Sequence, residues 1–405
     1  MGEGWDGGGH CRHFPPTLIL PLRGGRKLFF LTQLRNRRET ISIRGDDRMG
    51  ENVSQRISFD DLKLFCKQAY LRVGVPDDEA EIVADLLARS DLRGVETHGV
   101  MRLPIYIQRL QKGYVRAVCK ITTVKEKGST AFLEAHGSMG HVVARKAMEI
   151  AIQKATEHGI GWVSVKDSGH FGVAGLFPMM ALKKDFIGYT VSNSAPMMAP
   201  WGGRERIIGN NPVSYAFPAD KYLPVILDFS CSVVSSGKLI LSRKKGEKIP
   251  LGWAYDKNGL PTEDPYGGYE GGGSLAPIGG YKGYGMVLVH EMLTSVLTGG
   301  KWTQHIKSLY EEDKTGIQGT CHSFMAIDPE CFTGRENFKK EMDRYIKSIK
   351  ESAKAQNVTE ILMPGEPEYR TESERLKQGI PLESTTLQEL VALGKSLGIS
   401  LSLMD

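Results

Sequence analysis

Cysteine is scarce in this chain: six in 405 residues (Cys11, Cys66, Cys119, Cys231, Cys321, Cys331), with no CxxC pair among them. That spacing excludes a disulfide-stapled secreted scaffold and makes a reducing, cytoplasmic setting the default. Long hydrophobic runs are missing too. Nothing approaches the roughly 18 apolar residues of a membrane span, and Pro15, Pro16 and Pro21 interrupt the nearest candidate, Thr17 to Leu22. There is little charge of one sign: 52 Lys+Arg stand against 47 Asp+Glu, a net +5. Residues 1–48 hold nine of the basic and five of the acidic side chains, so the remainder is close to neutral. A nucleic-acid or anionic-membrane partner therefore lacks its electrostatic footprint. Three signatures are also absent: a GxGxxG after the first strand, the P-loop GxxxxGK[ST], and HExxH. No metal site is expected: Glu96-Thr-His98 and His290-Glu291 hold potential ligands without HExxH, and His136 and His141 have no obvious third partner.

What is present is ordinary globular composition, with 40% hydrophobic and 24% charged residues. Residues 1–48 have no useful helical or strand period. Their single serine (Ser42) and five acids argue against a targeting peptide, and the expectation is that translation begins at Met49, with Arg44-Gly45 encoding a ribosome-binding sequence. From Ser58, capped amphipathic stretches predict helices: Leu62, Phe65 and Ala69 form one apolar face closed by Gly74, and Pro76 with Asp77, Asp78 and Glu79 opens the next. A third helix is predicted over Gly99–Lys112. Residues 49–122 thus read as helical. Residues 123–330 read as α/β, with strands predicted at Thr130–Ala135, Gly161–Val165, Phe186–Ser192, Val213–Phe217, Pro224–Asp228 and Cys321–Ile327. Helices are predicted among them at Val142–His158, Val173–Lys184 and Met286–Thr298. Gly259–Gly285 reads as a long functional loop. Residues 331–405 read as two helices, Arg335–Lys354 and Leu387–Leu397, joined by a polar connection around Pro364–Pro381.

Several constellations can carry chemistry. His98, Arg102 and Tyr106 stand at steps of four, which on a helix places them on one face, although Pro104 would kink or restart it. They suit carboxylate binding, with Arg102 as the clamp, or an incidental solvated face. Ser168-Gly-His170-Phe-Gly172 follows a predicted strand, where ligands gather in α/β sheets. His170 there suits general acid–base work or caps the next helix. Asn193-Ser194-Ala-Pro196 and Gly209-Asn-Asn-Pro212 are turn clusters able to present amides to a phosphate or nicotinamide, or plain turns. Gly279-Gly-Tyr-Lys282-Gly283-Tyr-Gly285 precedes a helix, so Lys282 is placed to bind a phosphate or substrate oxygen, or is a solvated lysine.

Taken together, these segments resemble the malate/L-lactate dehydrogenase family. The resemblance runs from about Ser58 to the C-terminus: Asp91-Leu-Arg-Gly-Val-Glu-Thr-His98-Gly with Arg102 and Tyr106, Gly169-His170-Phe-Gly, Asn193-Ser194, Ala199-Pro-Trp-Gly-Gly203, Asn211-Pro212, Leu227-Asp228, Gly237-Lys238, Gly252-Trp-Ala, Gly280-Tyr-Lys282-Gly-Tyr-Gly285 and Pro364-Gly-Glu366. It implies an α/β fold whose nicotinamide-binding domain is not of the Rossmann type, with a largely parallel or mixed sheet packed on a helical domain built from both chain ends. It also implies a homodimer. The implied activity is hydride transfer between NAD or NADP and a small 2-hydroxy or 2-oxo acid. His170 would be the proton donor/acceptor, and His98, Arg102 and Tyr106 would line the substrate pocket. Lys282 or His98 would polarise the carbonyl, while Ser194, Asp228, Phe229, Ser230, Lys282 and Gly283 would contact the cofactor. The sequence departs from the family pattern at Thr97, Asn210 and Ser230-Cys231-Ser232, which touch pocket and groove. Two other readings stay open: a metal-dependent lyase or hydrolase using Glu96, His98 and His170, and a cofactor-binding protein without turnover.

Overall fold

Capping starts the chain's first helices. After the short strand β1 (Arg56–Ile57), Ser58 adopts extended backbone and its Oγ accepts from the Asp61 N–H at 3.1 Å, opening α1 (Phe59–Arg72). Asp60 and Asp61 complement the positive helix end, and Gly74, at φ 85°, follows the helix in the left-handed conformation glycine favours. Pro76 precedes α2 (Asp77–Leu92), and α3 (Leu103–Gln111) follows after two single 3₁₀ turns. The remaining elements are β2 (Thr122–Lys127), β3 (Thr130–Glu134), α4 (Gly140–His158), β4 (Ile160–Ser168), β5 (Ile187–Ser192), β6 (Val213–Phe217), β7 (Val225–Phe229) and α5 (Ser236–Lys244). They continue with β8 (Ala254–Tyr255), β9 (Ser274–Leu275), α6 (Tyr281–Glu291), β10 (Thr320–Ile327), α7 (Arg335–Lys350), α8 (Glu366–Gln378), β11 (Ile380–Pro381) and α9 (Ser384–Leu397). This computed structural model describes residues 55–311 and 317–404, so residues 1–48 and the expected start at Met49 lie outside the described residues.

A seven-stranded mixed sheet in the order β2-β3-β4-β10-β5-β6-β7 forms the centre. Only β3 and β4 pair in parallel; every other neighbouring pair is antiparallel. On one face α4 lays Val143, Ala144, Ala147, Met148, Ala151 and Ala155 against Val163, Val165 and Phe324. The helix lies so close that a Cβ on Gly161 would stand 2.0 Å from the Ala151 carbonyl oxygen. Small side chains on α4 and a glycine in β4 make this approach possible.

The second core joins the two ends of the chain. Leu62, Phe65, Val83, Leu87, Leu103 and Ile107 pack with Ile380, Leu382 and Leu390, and β1 pairs with β11 (Ile57 opposite Ile380). Helices from both ends therefore share one apolar interior, as the resemblance implied. None of the described helices is long and apolar enough to cross a membrane.

Three local expectations are corrected, and two elements had none. The helix expected over Gly99–Lys112 becomes a 3₁₀ turn (Val100–Arg102) and α3, because Gly99 breaks the backbone (φ −91°, ψ −145°) and Pro104 restarts it in the first helical turn. The helix expected over Val173–Lys184 is two 3₁₀ segments, Ala174–Leu176 and Pro178–Lys184, divided at Pro178. The connection around Pro364–Pro381 contains α8, a helix with no buried residue and hence no apolar stripe to read. β2, exposed at every position, and α5 carried too weak a pattern to be predicted.

Candidate active site

The strand register brings the sequence candidates to one end of the sheet. Ser168 at the end of β4 lies opposite Thr320, and His322 lies opposite Ser192 at the end of β5. Val191 faces Val213 at the start of β6, and Val213 faces Phe229 at the end of β7. His170, Ser194, the Asn210-Asn211 turn and Asp228–Ser230 all emerge along this one rim.

At the β4 end a corner of histidines is assembled. Tyr106 Oη lies 2.7 Å from His170 Nδ1, the Gly172 N–H approaches the same nitrogen at 3.3 Å, and the His170 N–H donates to Gln318 Oε1 at 3.0 Å. His98 stacks on His170 with ring centroids 5.6 Å apart, and Tyr106 meets the His141 ring edge-on at 5.0 Å. Behind them His322 donates from Nε2 to the Gly169 carbonyl (3.2 Å), and its Nδ1 lies 2.8 Å from Ser192 Oγ, tying the ends of β4 and β5 together. A small cavity of about 20 Å³, lined by Tyr70, Tyr106, His141, His170 and Gln318, adjoins the corner and has room for about one water molecule. Tyr70 Oη and His141 Nε2 are buried there without a protein partner.

Burial sets the electrostatics of the corner. It drives His98 down to about 4, with the Arg102 charge adding to the effect, and His141 and His322 down to about 3. His170 is held well below its usual value by burial first, then by His98, His141, Arg102 and His322. Burial likewise raises the Tyr106 phenol, so it stays protonated.

The substrate-side residues sit on a turn rather than on one helix face. His98 ends the 3₁₀ turn Glu96–His98, Arg102 ends the next, and Tyr106 is on α3, so the straight row expected at steps of four is replaced by a fold that still gathers all three around His170. Asp91 explains the turn: its Oδ2 accepts the Val100 N–H at 2.7 Å, and a Cβ on Gly99 would fall 2.0 Å from that oxygen. Arg102 donates to the Thr97 carbonyl (2.8 Å) and bonds Tyr310 Oη. Thr97, a departure from the family pattern, places Oγ1 2.9 Å from His98 Nδ1. Glu96 turns to Arg375 (2.6 Å), so the ligand trio Glu96, His98 and His170 is not assembled.

Ser194 is locked into the Asn210-Asn211 turn: its Oγ donates to Asn210 Oδ1 at 2.9 Å and accepts from the Asn210 N–H at 3.0 Å. Asn210, a second departure, thus binds the Ser194 hydroxyl from both sides. Cys231 is buried beside His290 Nδ1 (3.6 Å), and burial raises its thiol to about 12. Asp228 accepts the Gly175 N–H at 2.9 Å in a groove of about 510 Å³ shared with Arg93, Pro364, Gly365 and Glu368. The residue is exposed along the groove, yet its carboxyl is raised to about 6, desolvation outweighing the Gly175 bond. Phe229 points to the opposite face, toward Val213 and Met198. Ser230 Oγ lies 3.3 Å from Ser232 Oγ. Lys282 is exposed in the first turn of α6, whereas Gly283 is buried where a Cβ would stand 1.9 Å from the Ile278 carbonyl oxygen. Gly283 thus serves the packing of the helix start.

Sequence reasoning gave no site role to Gln318, His322, His141 or Arg375. His322 left one legible signal, a histidine within a predicted strand; Gln318 and Arg375 left none, because their partners are distant in the chain.

The chain matches the family model "Malate/L-lactate dehydrogenase" over residues 57–391. It is 40% identical over 351 residues to a malate dehydrogenase of Pyrococcus abyssi, covering 85% of this chain and 95% of that one. The sulfolactate dehydrogenase structure from Methanocaldococcus jannaschii superposes with a TM-score of 0.80 at 36% identity, covering 85% of this chain and 98% of the other. An Escherichia coli ureidoglycolate dehydrogenase (NAD(+)) is 28% identical over 338 residues, 83% of this chain and 95% of its own. A non-Rossmann mixed sheet, a core shared by both chain ends and a histidine corner at the sheet rim are thus joined by similarity along nearly the whole described chain, and the protein belongs to the malate/L-lactate dehydrogenase family.

Proposed function

We propose that the protein is an NAD-dependent 2-hydroxyacid dehydrogenase, a homodimer in which His170 exchanges the proton and Arg102 holds the substrate carboxylate. The observation that carries this reading is the His170–Tyr106 bond, with Arg102 and His98 beside it, in a partly buried corner. The residues suit a dinucleotide. Lys282 is a free-standing cation at the positive end of α6, fit for a diphosphate, and Gly175 leaves no room for a Cβ beside the Asp228 carboxylate. Ser194 and Ser230 offer hydroxyls on the same rim. The bound nicotinamide would accept the hydride from C2 of the hydroxy acid and return it in the reverse direction.

The chain's own work is proton handling and orientation. In oxidation His170 takes up the proton of the substrate hydroxyl, while Tyr106 Oη and the Gly172 N–H hold the ring at Nδ1. In reduction the doubly protonated ring gives one proton to the developing alkoxide and returns to the neutral form. Tyr106 therefore orients the ring, as the partner of a catalytic base does. Arg102 and His98 lie where negative charge gathers, which favours the transition state over the free substrate. Because His170 is held below its ordinary value, reduction needs a proton that the free enzyme carries only at low pH. kcat/KM for reduction should then fall about tenfold per pH unit through neutrality, while oxidation stays level.

The cofactor preference for NAD is supported by the Asp228 groove, where Asp228 and Glu368 face one arginine, Arg93, already engaged by Glu372. An extra 2′-phosphate would meet net negative charge there. Dimerisation is supported by the apolar surface of α6 and its continuation, where Met286, Val289, Met292, Val296 and Leu297 are exposed. The deciding experiment follows absorbance at 340 nm with NADH or NADPH against oxaloacetate, pyruvate, sulfopyruvate and other 2-oxo acids. NADH consumption with at least one is expected, and no consumption with any would remove the reading. Loss of activity on chelation would instead favour a metal-dependent lyase or hydrolase.

A further inference from the structure

The turn that carries His98 and Arg102 has little to hold it. Each 3₁₀ segment is only a single turn, and Glu96 and Thr97 are exposed. Its root is pinned from α8: Arg93 pairs with Glu372 and lies over the Tyr369 ring at 4.6 Å, and Gly94, at φ 80°, would bring a Cβ within 3.1 Å of Thr371. One side chain of α8 reaches further. Arg375 donates through Nη1 to the Asp91 carbonyl, which also accepts the Gly94 N–H at 3.0 Å, and through Nη2 to Glu96 Oε1 at 2.6 Å. The same Asp91 holds Val100 through its carboxylate. A single two-pronged guanidinium thus spans the turn from its start to a point two residues before His98.

We propose that Arg375 is a positioning residue for substrate recognition, bracing from α8 the turn that presents His98 and Arg102. The proposal rests on the reading that these two side chains meet the substrate carboxylate. Two effects combine in it. The fork geometry of arginine restrains two separate acceptors at once, which lysine cannot reproduce. Arg375 also neutralises Glu96, whose unpaired carboxylate would otherwise stand beside a site built for an anion and repel it. Asp91, raised to about 8 chiefly by burial, makes a weak anchor by charge, which leaves more of the restraint to the guanidinium.

The test is steady-state kinetics on the full-length enzyme with a 2-oxo acid found active in the NADH assay, together with NADH affinity by fluorescence and thermal unfolding. Arg375→Gln is expected to raise the oxo-acid KM about tenfold or more with kcat within about twofold and NADH affinity unchanged, the pattern of lost ground-state positioning. Arg375→Lys should fall between wild type and Gln, and it serves as the test if the Gln variant does not fold. Adding Glu96→Gln to Arg375→Gln should recover part of the KM by removing the stray carboxylate. Arg370→Gln, on the same helix, which removes the exposed pair to Glu360 ahead of it, should leave KM unchanged. A wild-type KM in Arg375→Gln or Arg375→Lys, or a loss shared with NADH affinity, overturns the proposal. Arg102→Leu run alongside separates the two levels: an unchanged KM there sinks the carboxylate reading itself, whereas a raised KM there with a normal one in the Arg375 variants sinks only the brace.

Discussion

The β4 and β7 ends of the sheet lie on one rim and are built on opposite principles. At the β4 end, His98, Tyr106, His141 and His170 interlock ring against ring with His322 hydrogen-bonded behind them, and burial depresses every imidazole among them. At the β7 end, Asp228 and Glu368 line an open groove, and Lys282, farther along the rim, stands in water. Proton transfer requires a fixed tautomer and a shifted pKa, which come from burial and hydrogen bonding. A large, exchangeable ligand requires access. The same sheet supplies rigidity to one and openness to the other.

The contrast can be broken most sharply at His170. His170→Asn should lower kcat about 10²–10⁴-fold while NADH affinity, measured by fluorescence, stays near wild type; a parallel fall in both would erase the division. Next in size, Arg102→Leu should cost about 2–5 kcal/mol in kcat/KM if its carboxylate bond is desolvated, and a loss confined to NADH affinity would move Arg102 to the other side of the comparison. Lys282→Ala, acting in water, should weaken NADH only about three- to tenfold and in a salt-dependent way. A loss that ignores ionic strength would mean that Lys282 is buried on binding. The smallest effect per group is on stability. His98, His141 and His322 are depressed to about 4, 3 and 3, so the unfolded chain takes up protons that the folded one refuses. Stability is then full above about pH 6.5 and is lost as pH falls toward 4. Asp91, raised to about 8, works the other way between about pH 4 and 8 but is outnumbered. The thermal midpoint should therefore drop from pH 7 to pH 5, and a flat midpoint would contradict the buried imidazoles.

How much of this was legible in the sequence depended on where the signal lay. The cap at Ser58 and the alternation in Val213–Phe217 are local, and both elements formed where predicted. His170 was legible because glycines and a strand end surround it. The row of His98, Arg102 and Tyr106 was read with the right members and the wrong shape, since Gly99 and Pro104 divide what spacing alone joins. α8 escaped notice because its inner face is polar: Tyr369, Thr371, Glu372 and Arg375 grip α2 and the following turn through charge and shape rather than apolar burial. His322 and Gln318 depend on a strand arriving from more than 100 residues away, which no periodicity can announce.

That strand has a temporal consequence. β10 separates β4 from β5, and both depend on it for pairing on their facing edges. Until residues 320–327 have left the ribosome and inserted, the chain holds two open strand edges, an invitation to mispairing, and its contacts span long loops that slow folding. His322 carries the bonds that draw Gly169 and Ser192 together. The corner where the chemistry is proposed to happen is thus among the last parts of the protein to exist, and its completion doubles as the step that closes the sheet.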